Sequence, residues 1–268
     1  MKSAASCPNS DIFRSVTSVE YPETGNDWCA AVEDSSWWFR HRNRFLVDVM
    51  RRFPPETPLY DVGGGNGVVA AALEKAGIPT VVVEPGEAGA RRARTRGLKS
   101  ICATMESAGF APASLGSIGM FDVVEHIQDG SGFLQRARAL LRPRGRIYLT
   151  VPAHRILWSA EDVYAHHFRR YTARSMRRTL EGAGFEVELS TYMFALLPLP
   201  ILLMRSIPYR LGRARPFTPE GVSDDHAKAQ GLSRALVDRL LDLELSAFRA
   251  LGALPFGASV VAVGRKSS

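Results

Sequence analysis

The fold of this chain is decided by the stretch Leu59-Tyr60-Asp61-Val62-Gly63-Gly64-Gly65-Asn66-Gly67. Its apolar start is typical of a buried strand. The glycines that follow allow a tight turn and a close ligand, because glycine adopts dihedral angles that other residues rarely take. Val68 to Lys75, with its run of alanines, is predicted to be a helix. A strand, a glycine turn and a helix N-terminus in this order form a cradle for a nucleotide or nucleoside.

The spacing of the glycines favours a nucleoside over a dinucleotide. A G-x-G-x-x-G fingerprint would place its third small residue at position 68, which is valine here. The observed G-x-G-x-G form, preceded by Asp61, suits a ligand without a pyrophosphate, such as S-adenosylmethionine. A second predicted strand, Thr80 to Val83, ends in Glu84-Pro85, where a carboxylate can accept hydrogen bonds from both ribose hydroxyls. The alternative is an ordinary glycine-rich turn beside an exposed glutamate.

Length and composition are those of a globular protein. The chain has 268 residues, which is enough for one large α/β domain with additions. Apolar residues make up 46% and charged residues 23%, and these values exclude wholesale disorder. The net charge of +7 is compatible with nucleic acid, anionic lipid or an acidic substrate. The arginines are dispersed, so a nucleic-acid partner is not expected.

Cysteine usage and hydropathy indicate a cytoplasmic protein. Cys7, Cys29 and Cys102 stand far apart with no C-x-x-C motif, so neither a disulfide framework nor structural zinc is expected. The N-terminal residues lack the apolar region of a secretory signal. No apolar run reaches the ~20 residues that a spanning helix needs, so no transmembrane helix is predicted.

The N-terminal part is predicted to be a polar arm followed by a helix. Residues 1–35 form the arm in this interpretation. Trp37-Trp38-Phe39 and three nearby arginines precede apolar residues at helical spacing, and Pro54-Pro55 ends the helix. This cluster is either an anchor in the core or a lid over the cofactor, in which Arg40 holds the methionine carboxylate.

The middle of the chain alternates between predicted strands and helices. This order is typical of a doubly wound, Rossmann-like parallel sheet, which binds ligands at the carboxyl ends of its strands. The apolar strand from Met120 to Val124 turns abruptly into Glu125-His126. Together with Glu84 and Asp122, these two residues are expected at that edge.

The regular alternation stops after the fifth predicted strand. Residues 153–171 are expected to lie over the site as a loop and short helix. Residues 193–207 are apolar but interrupted by Pro198 and Pro200, and arginines follow. This segment is either a lid or membrane-facing element, a tunnel for an acyl chain, a buried helical hairpin or a homodimer interface. The predicted core is residues 36–192 with 255–268, and residues 193–254 form the insert.

The chain resembles the class I S-adenosylmethionine-dependent methyltransferases of the type 11/12/23 group. Four segments carry the resemblance: residues 61–67, 83–85, 121–126 and 141–145. It implies a seven-stranded sheet whose last strand pair is antiparallel, with Glu84 on the ribose and the glycine turn under the methionine part. The implied cofactor-binding residues are Asp61, Gly63, Gly64, Gly65, Gly67, Glu84, Pro85, Phe121, Asp122 and Arg40.

A narrower resemblance concerns Asp122, Glu125 and His126. Similar strings in ubiquinone-pathway O-methyltransferases and small-RNA terminal 2′-O-methyltransferases are associated with a divalent metal and with a second histidine after strand five, which His167 matches here. Two carboxylates and two imidazoles suit Mg²⁺ or Mn²⁺. Without a metal, His126 or His167 is the candidate general base beside Glu125. In the simplest alternative, these residues only close the substrate loop.

The resulting prediction is methylation of an oxygen on a small or lipid-linked hydrophobic acceptor, with peripheral contact to the inner membrane face. The apolar residues 193–207 favour such an acceptor. Two alternatives remain: methylation of RNA, and a non-catalytic subunit that binds S-adenosylmethionine.

Overall fold

The computed structural model describes residue 33, residues 36–214 and residues 232–268, without the side chains of residues 232–234. The predicted arm, residues 1–35, therefore lies outside the described residues except for Glu33. Seven strands form one sheet with the order β3-β2-β1-β4-β5-β7-β6. The strands are β1 Leu59–Val62, β2 Thr80–Val83, β3 Lys99–Ile101, β4 Leu115–Phe121, β5 Leu141–Pro152, β6 Phe185–Met193 and β7 Ser259–Lys266.

The sheet is parallel except at β7. Strands β1 to β5 pair in parallel, whereas β7 runs antiparallel to both of its neighbours, β5 and β6. This confirms the predicted fold class and the predicted antiparallel last pair. Val62 pairs with Val83 and Phe121 with Thr150, so the carboxyl ends of β1, β2, β4 and β5 meet at one edge. The strand order changes direction between β1 and β4, which is where such sheets bind ligands.

Helices cover both faces of the sheet, and one hydrophobic cluster lies on each face. The predicted helix Val68 to Lys75 is confirmed with those bounds. The α-helices are α1 Trp37–Arg52, α2 Val68–Lys75, α3 Glu87–Thr95, α4 Gly130–Leu140, α5 Ala160–Tyr164, α6 Ala173–Gly182, α7 Pro198–Ile201, α8 Ile207–Arg210 and α9 Leu232–Leu251. A π-helical turn, Leu202–Ser206, joins α7 to α8, and 3₁₀ turns span Val124–His126 and Arg155–Leu157.

Helix α1 begins at a side-chain cap and packs on the long helix α9. The Ser36 hydroxyl accepts a hydrogen bond from the backbone N–H of Trp38, which satisfies one of the donors at the helix start. Phe45 packs against Phe248 of α9, with 4.4 Å between ring centroids. A buried carboxylate, Glu244, joins α1 and α9 to the segment after β6.

Glu244 accepts three hydrogen bonds. The ring of His41 lies 2.9 Å from its Oε1, and the backbone N–H groups of Phe194 and Ala195 donate at 2.7 Å and 2.6 Å. The division between core and insert stays a prediction, but this contact ties α9, part of the predicted insert, directly to α1.

Two features of the structure were not predicted from the sequence. The predicted turn at residues 142–145 is an irregular start of β5, because the register shifts between Leu115, which pairs with Leu141, and Ser117, which pairs with Arg146. Cys102 is disulfide-bonded. The sequence predicted only that no disulfide framework is present, and it gave no signal for this single bond.

Among the helices of the described residues, none combines the length and the apolar composition that a membrane span requires.

Candidate active site

The glycine turn after β1 needs glycine at three positions. Gly63, Gly65 and Gly67 have φ of +72°, +51° and +79°, in the left-handed region that strains other residues. At two of them a side chain would also collide with a neighbour. A Cβ on Gly63 would lie 2.7 Å from Val123 Cγ2, and a Cβ on Gly67 would lie 2.6 Å from Leu98 Cδ1. The conformation that suggested a ligand cradle is therefore present.

Glu84 follows β2 and is fixed against the glycine turn. Its two carboxylate oxygens accept the backbone N–H groups of Gly65 at 2.9 Å and Gly86 at 2.7 Å. Burial raises the pKa of Glu84, and the two backbone hydrogen bonds act against that rise. An ionised carboxylate has about four lone-pair sites, so two remain for a ligand hydroxyl pair.

Asp61 in β1 is a buried carboxylate without a hydrogen-bond partner among the described residues. Both of its side-chain oxygens are unpaired. Burial raises its pKa to about 7, with the nearby Arg42 lowering it and Glu84 raising it further. A Cβ on Gly64 would lie 2.8 Å from Asp61 Oδ2, so this turn passes directly over the carboxylate. Burying an acceptor without a donor is unfavourable, and this indicates a site built for a ligand that donates.

Asp122 follows β4 and is held by two side chains. Arg42 Nη1 lies 2.5 Å from Asp122 Oδ2, and the Thr150 hydroxyl donates to Oδ1 at 3.0 Å. Asp122 itself has φ of +59°, a strained conformation for a residue with a side chain. The Arg42 guanidinium also lies over the rings of Trp38 and Phe39, 4.7 Å and 5.0 Å from their centroids. The aromatic residues thus position an arginine at the edge of the sheet.

The arginine that reaches this edge is Arg42, whereas the sequence analysis assigned the role to Arg40. Arg42 is buried on the inner face of α1, together with Phe45 and Val49. The binding role of Arg40 stays a prediction. Sequence spacing could not separate the two arginines, because both neighbour apolar residues and only the packing of α1 decides which one faces the sheet.

Three of the four predicted metal ligands lie together. One ligand atom each from Glu125, His126 and His167 lies within 4.8 Å of the other two. The two imidazole rings are 4.7 Å apart at an interplanar angle of 71°. Asp122 is not part of this group, because its carboxylate is engaged by Arg42 and Thr150.

Burial controls the charge of this cluster. It raises the pKa of Glu125 well above its ordinary value, with Asp122 adding to the rise. It lowers the pKa of His126 to about 3, and His167 contributes to the lowering. His126 is therefore neutral near pH 7. Glu125 Oε2 is buried and has no hydrogen-bond partner among the described residues.

Asp162 orients His167. It is fully buried on α5, and its Oδ1 lies 2.8 Å from His167 Nδ1 and 2.7 Å from Arg170 Nε. Burial disfavours its ionisation, but the hydrogen bonds from His167 and Arg170 outweigh burial and hold the pKa of Asp162 below its usual range. Because the carboxylate is ionised, the ring nitrogen beside it, Nδ1, is the donor, and in a neutral ring the lone pair is then on Nε2. The ring is thereby held in the tautomer that a general base needs.

Some of these contacts had a partial signal in the sequence. Ser159 and Asp162 form a capping box at the start of α5, a pattern that local spacing can reveal. The bonds from Asp162 to His167 and Arg170, and the bond from Thr150 to Asp122, had no such signal, because they join separate elements.

Residues 38–190 match the family described as "Methyltransferase domain". The chain belongs to this family. A relative from Mycolicibacterium smegmatis, described as "Probable S-adenosylmethionine-dependent methyltransferase", is 25% identical over 172 residues. The match covers 62% of this chain and 66% of that relative's length, just under two thirds. The expected relationship to class I S-adenosylmethionine-dependent methyltransferases is confirmed.

Solved structures show that the fold is shared. A Thermotoga maritima S-adenosylmethionine-dependent methyltransferase, described as a possible histamine N-methyltransferase, has a TM-score of 0.57 at 19% identity and covers 90% of this chain and 97% of its own. Haemonchus contortus phosphoethanolamine N-methyltransferase 2, in complex with phosphomonomethylethanolamine and S-adenosylhomocysteine, has a TM-score of 0.56 at 17% identity and covers 91% and 57%. At these identities the comparison concerns the fold alone.

Proposed function

We propose that this methyltransferase transfers the methyl group of S-adenosylmethionine to an oxygen of a small or lipid-linked hydrophobic acceptor. One observation carries the proposal. The buried carboxylates Asp61 and Glu84 stand at the carboxyl ends of β1 and β2, and His167, which bonds Asp162, has a ring nitrogen within 4.8 Å of the carboxylate of Glu125, just after β4. The first two groups suit the cofactor, and the pair suits removal of a proton from the acceptor.

The charges near the glycine turn match those of the methionine part of the cofactor. Asp61 has no donor among the described residues and would accept from the α-ammonium group. Arg42, which already lies close to Asp61 and Asp122, would pair with the α-carboxylate. The free oxygen lone pairs of Glu84 would accept the two ribose hydroxyls. When bound, the cofactor supplies an electrophilic methyl group on a sulfonium.

His167 is the proposed general base. Asp162 holds the Nδ1–H, so Nε2 would take the proton of an acceptor hydroxyl while the acceptor oxygen bonds to the methyl carbon. His167 would keep the hydroxyl proton, and the electron pair of the methyl–sulfur bond would remain on a departing neutral thioether. The Asp162 carboxylate stabilises the imidazolium that forms, and such a base typically contributes 10²–10⁴-fold to the rate.

Exposed apolar side chains beside His167 support a hydrophobic acceptor. Phe168 follows His167 directly and is exposed, and its backbone N–H donates to the carbonyl of Glu125 at 2.9 Å. Val163 on α5 is also exposed. A polar acceptor would gain nothing from these side chains, whereas an apolar one would cover them.

A divalent metal is a second candidate for activating the acceptor. Glu125, His126 and His167 offer mixed oxygen and nitrogen ligands within 4.8 Å of one another, and Glu125 Oε2 lacks a partner among the described residues. Two imidazoles and one carboxylate suit Mn²⁺ or Fe²⁺ better than Mg²⁺, which prefers oxygen ligands. A metal held there would bind the acceptor hydroxyl and lower its pKa.

The test is methyl transfer from labelled S-adenosylmethionine to lipid, aqueous small-molecule and RNA fractions of a cell extract, with Mn²⁺, with Mg²⁺ or with a chelator. Label in the lipid or small-molecule fraction supports the proposal. Loss of that label on chelation favours the metal over His167 as the activating group. Label in RNA contradicts the proposed acceptor, and the absence of label despite cofactor binding favours a non-catalytic subunit.

A further inference from the structure

We propose that the segment around α7 and α8 is a docking surface for an anionic lipid bilayer. Its outward residues form what we call the apolar ridge. The members of the apolar ridge are Leu196, Leu199, Leu203, Met204, Ile207 and Leu211. This inference rests on the proposed function, because a bilayer would supply a lipid-linked acceptor.

The ridge reverses the usual polarity of a surface helix. Leu199 is 63% exposed, Met204 74% and Leu211 62%. Ser206 faces the other way, is fully buried, and donates from its hydroxyl to the carbonyl of Ile201. Leu202 packs inward against the cluster formed by α1 and α9. Leucine and methionine side chains of this segment are therefore exposed to water, while a serine is buried. Exposing so much apolar surface is unfavourable unless another apolar phase covers the ridge.

The ridge is continuous with the elements that carry the proposed base. Arg205 Nη1 lies 2.5 Å from Glu161 Oε1 on α5, and Arg210 donates to the carbonyl of Ile156 at 2.6 Å. The exposed side chains of Ile156 and Val163 extend the apolar surface on this side. Asp162, which orients His167, is the residue between Glu161 and Val163. A bilayer on the ridge would thus lie beside the acceptor side of the site.

The charge around the ridge identifies the occupant as anionic lipid. Arg155, Arg210 and Arg213 are exposed at its margins, and Arg210 bonds only a neutral carbonyl among the described residues. Guanidinium groups beside an apolar face match lipid phosphates beside acyl chains. A twofold contact of the ridge with a second copy would bring two sets of the same arginines together, which is repulsive.

The first experiment is co-sedimentation with vesicles, using the full chain without cofactor. One set contains phosphatidylcholine alone, and in the other about a third of the lipid is phosphatidylglycerol. We expect binding to the anionic vesicles and at least tenfold weaker binding to the neutral ones. The double variant Leu203→Glu with Met204→Glu should lose vesicle binding. The matched control is Leu243→Glu on α9, which is 65% exposed but outside the ridge, and should bind as the wild type does.

The arginines provide a second measurement. Arg155→Gln and Arg213→Gln should each weaken binding to anionic vesicles by about fivefold, and added salt should remove that difference. Thermal melting checks that each variant is folded. Equal binding of the ridge variant and the wild type overturns the inference. A second result would also overturn it: the wild type forms a dimer in ultracentrifugation and does not bind vesicles, and the ridge variant is a monomer.

Failure of the docking surface is distinguishable from failure of the proposed function. If the protein methylates extracted lipid in detergent but does not bind vesicles, the proposed function stands and the docking surface is overturned. If the wild type binds vesicles and the ridge variant does not, the docking surface is supported. This holds whichever extract fraction is labelled in the methyl-transfer test.

Discussion

The cofactor side and the acceptor side of the site are organised differently. On the cofactor side, backbone groups form most of the contacts. Three glycines with left-handed dihedral angles shape the turn, and two backbone N–H groups donate hydrogen bonds to Glu84. On the acceptor side, side chains from separate elements hold one another, as Asp162 holds His167. The first arrangement resists change because the backbone conformation has few alternatives. The second depends on side chains alone, so substitutions there can change the site without changing the backbone.

The largest expected effect is on the acceptor side. His167→Gln should lower kcat by 10²–10⁴-fold because the base is lost, while the Kd for S-adenosylmethionine stays within about twofold. Single-turnover kinetics and calorimetric titration measure the two quantities. The matched control is His166→Gln at the exposed neighbouring position, which should retain activity. An equal loss in both variants would mean that the loop, and not the His167 imidazole, matters.

The next effect tests the backbone of the cofactor side. Gly67→Ala places a side chain at φ of +79° and 2.6 Å from Leu98 Cδ1, so we expect a loss of about 2–4 kcal/mol in unfolding free energy and weaker cofactor binding. Chemical denaturation measures the unfolding free energy, and titration measures cofactor binding.

Gly97→Ala is the control for this prediction. Gly97 has φ of +82°, but there is open space around the position of its Cβ. It should cost only about 1–2 kcal/mol. Similar losses would show that strain, and not the contact with Leu98, dominates.

A paired substitution separates the two arginines of α1. Arg42→Gln removes the cation beside Asp122 and Asp61, so we expect the Kd for S-adenosylmethionine to rise by at least tenfold. Arg40→Gln should change it by less than about threefold if Arg42 alone binds the methionine carboxylate. The reverse ranking would restore the assignment that the sequence suggested.

The last effect concerns Asp61 and pH, and it is measured as a shift of a few degrees in melting temperature. Its pKa is about 7 in the folded protein against an ordinary value of 3.8, so the folded state binds the proton more tightly and stability falls as pH rises from about 4 to about 7. A difference of about three pKa units corresponds to at most about 4 kcal/mol. Asp61→Asn should remove this slope and raise the melting temperature of the cofactor-free protein at pH 8 by at least about 2–4 °C.

Cofactor binding should show the opposite dependence. If the Asp61 carboxylate accepts from the α-ammonium, affinity for S-adenosylmethionine should rise as pH increases towards 7, and Asp61→Asn should bind weakly with a smaller pH slope, since Glu84 still titrates. Isothermal titration at several pH values measures this. A wild-type affinity that does not change between pH 5 and pH 8 would contradict the assigned partner.

Local patterns predicted much of the cofactor side. The strand, turn and helix from Leu59 to Lys75 and the glutamate after β2 were readable because each depends on neighbouring residues. The sequence also predicted that Glu125, His126 and His167 take part in the site. Their grouping was expected through the family resemblance, and the structure brings the three together. The engagement of Asp122 by Arg42 and Thr150 was not readable, because each contact joins elements distant in the chain.

The sequence by itself determined the alternation of strands and helices, the glycine turn and the kind of cofactor. Each of these depends on short stretches of chain, through glycine dihedral angles and the periodicity of apolar residues. Only the tertiary structure decided which arginine of α1 faces Asp122, how Asp162 orients His167, and that the apolar ridge points outward. These features depend on the rotation of each helix about its axis and on the packing between elements. Residue spacing alone does not specify either of them.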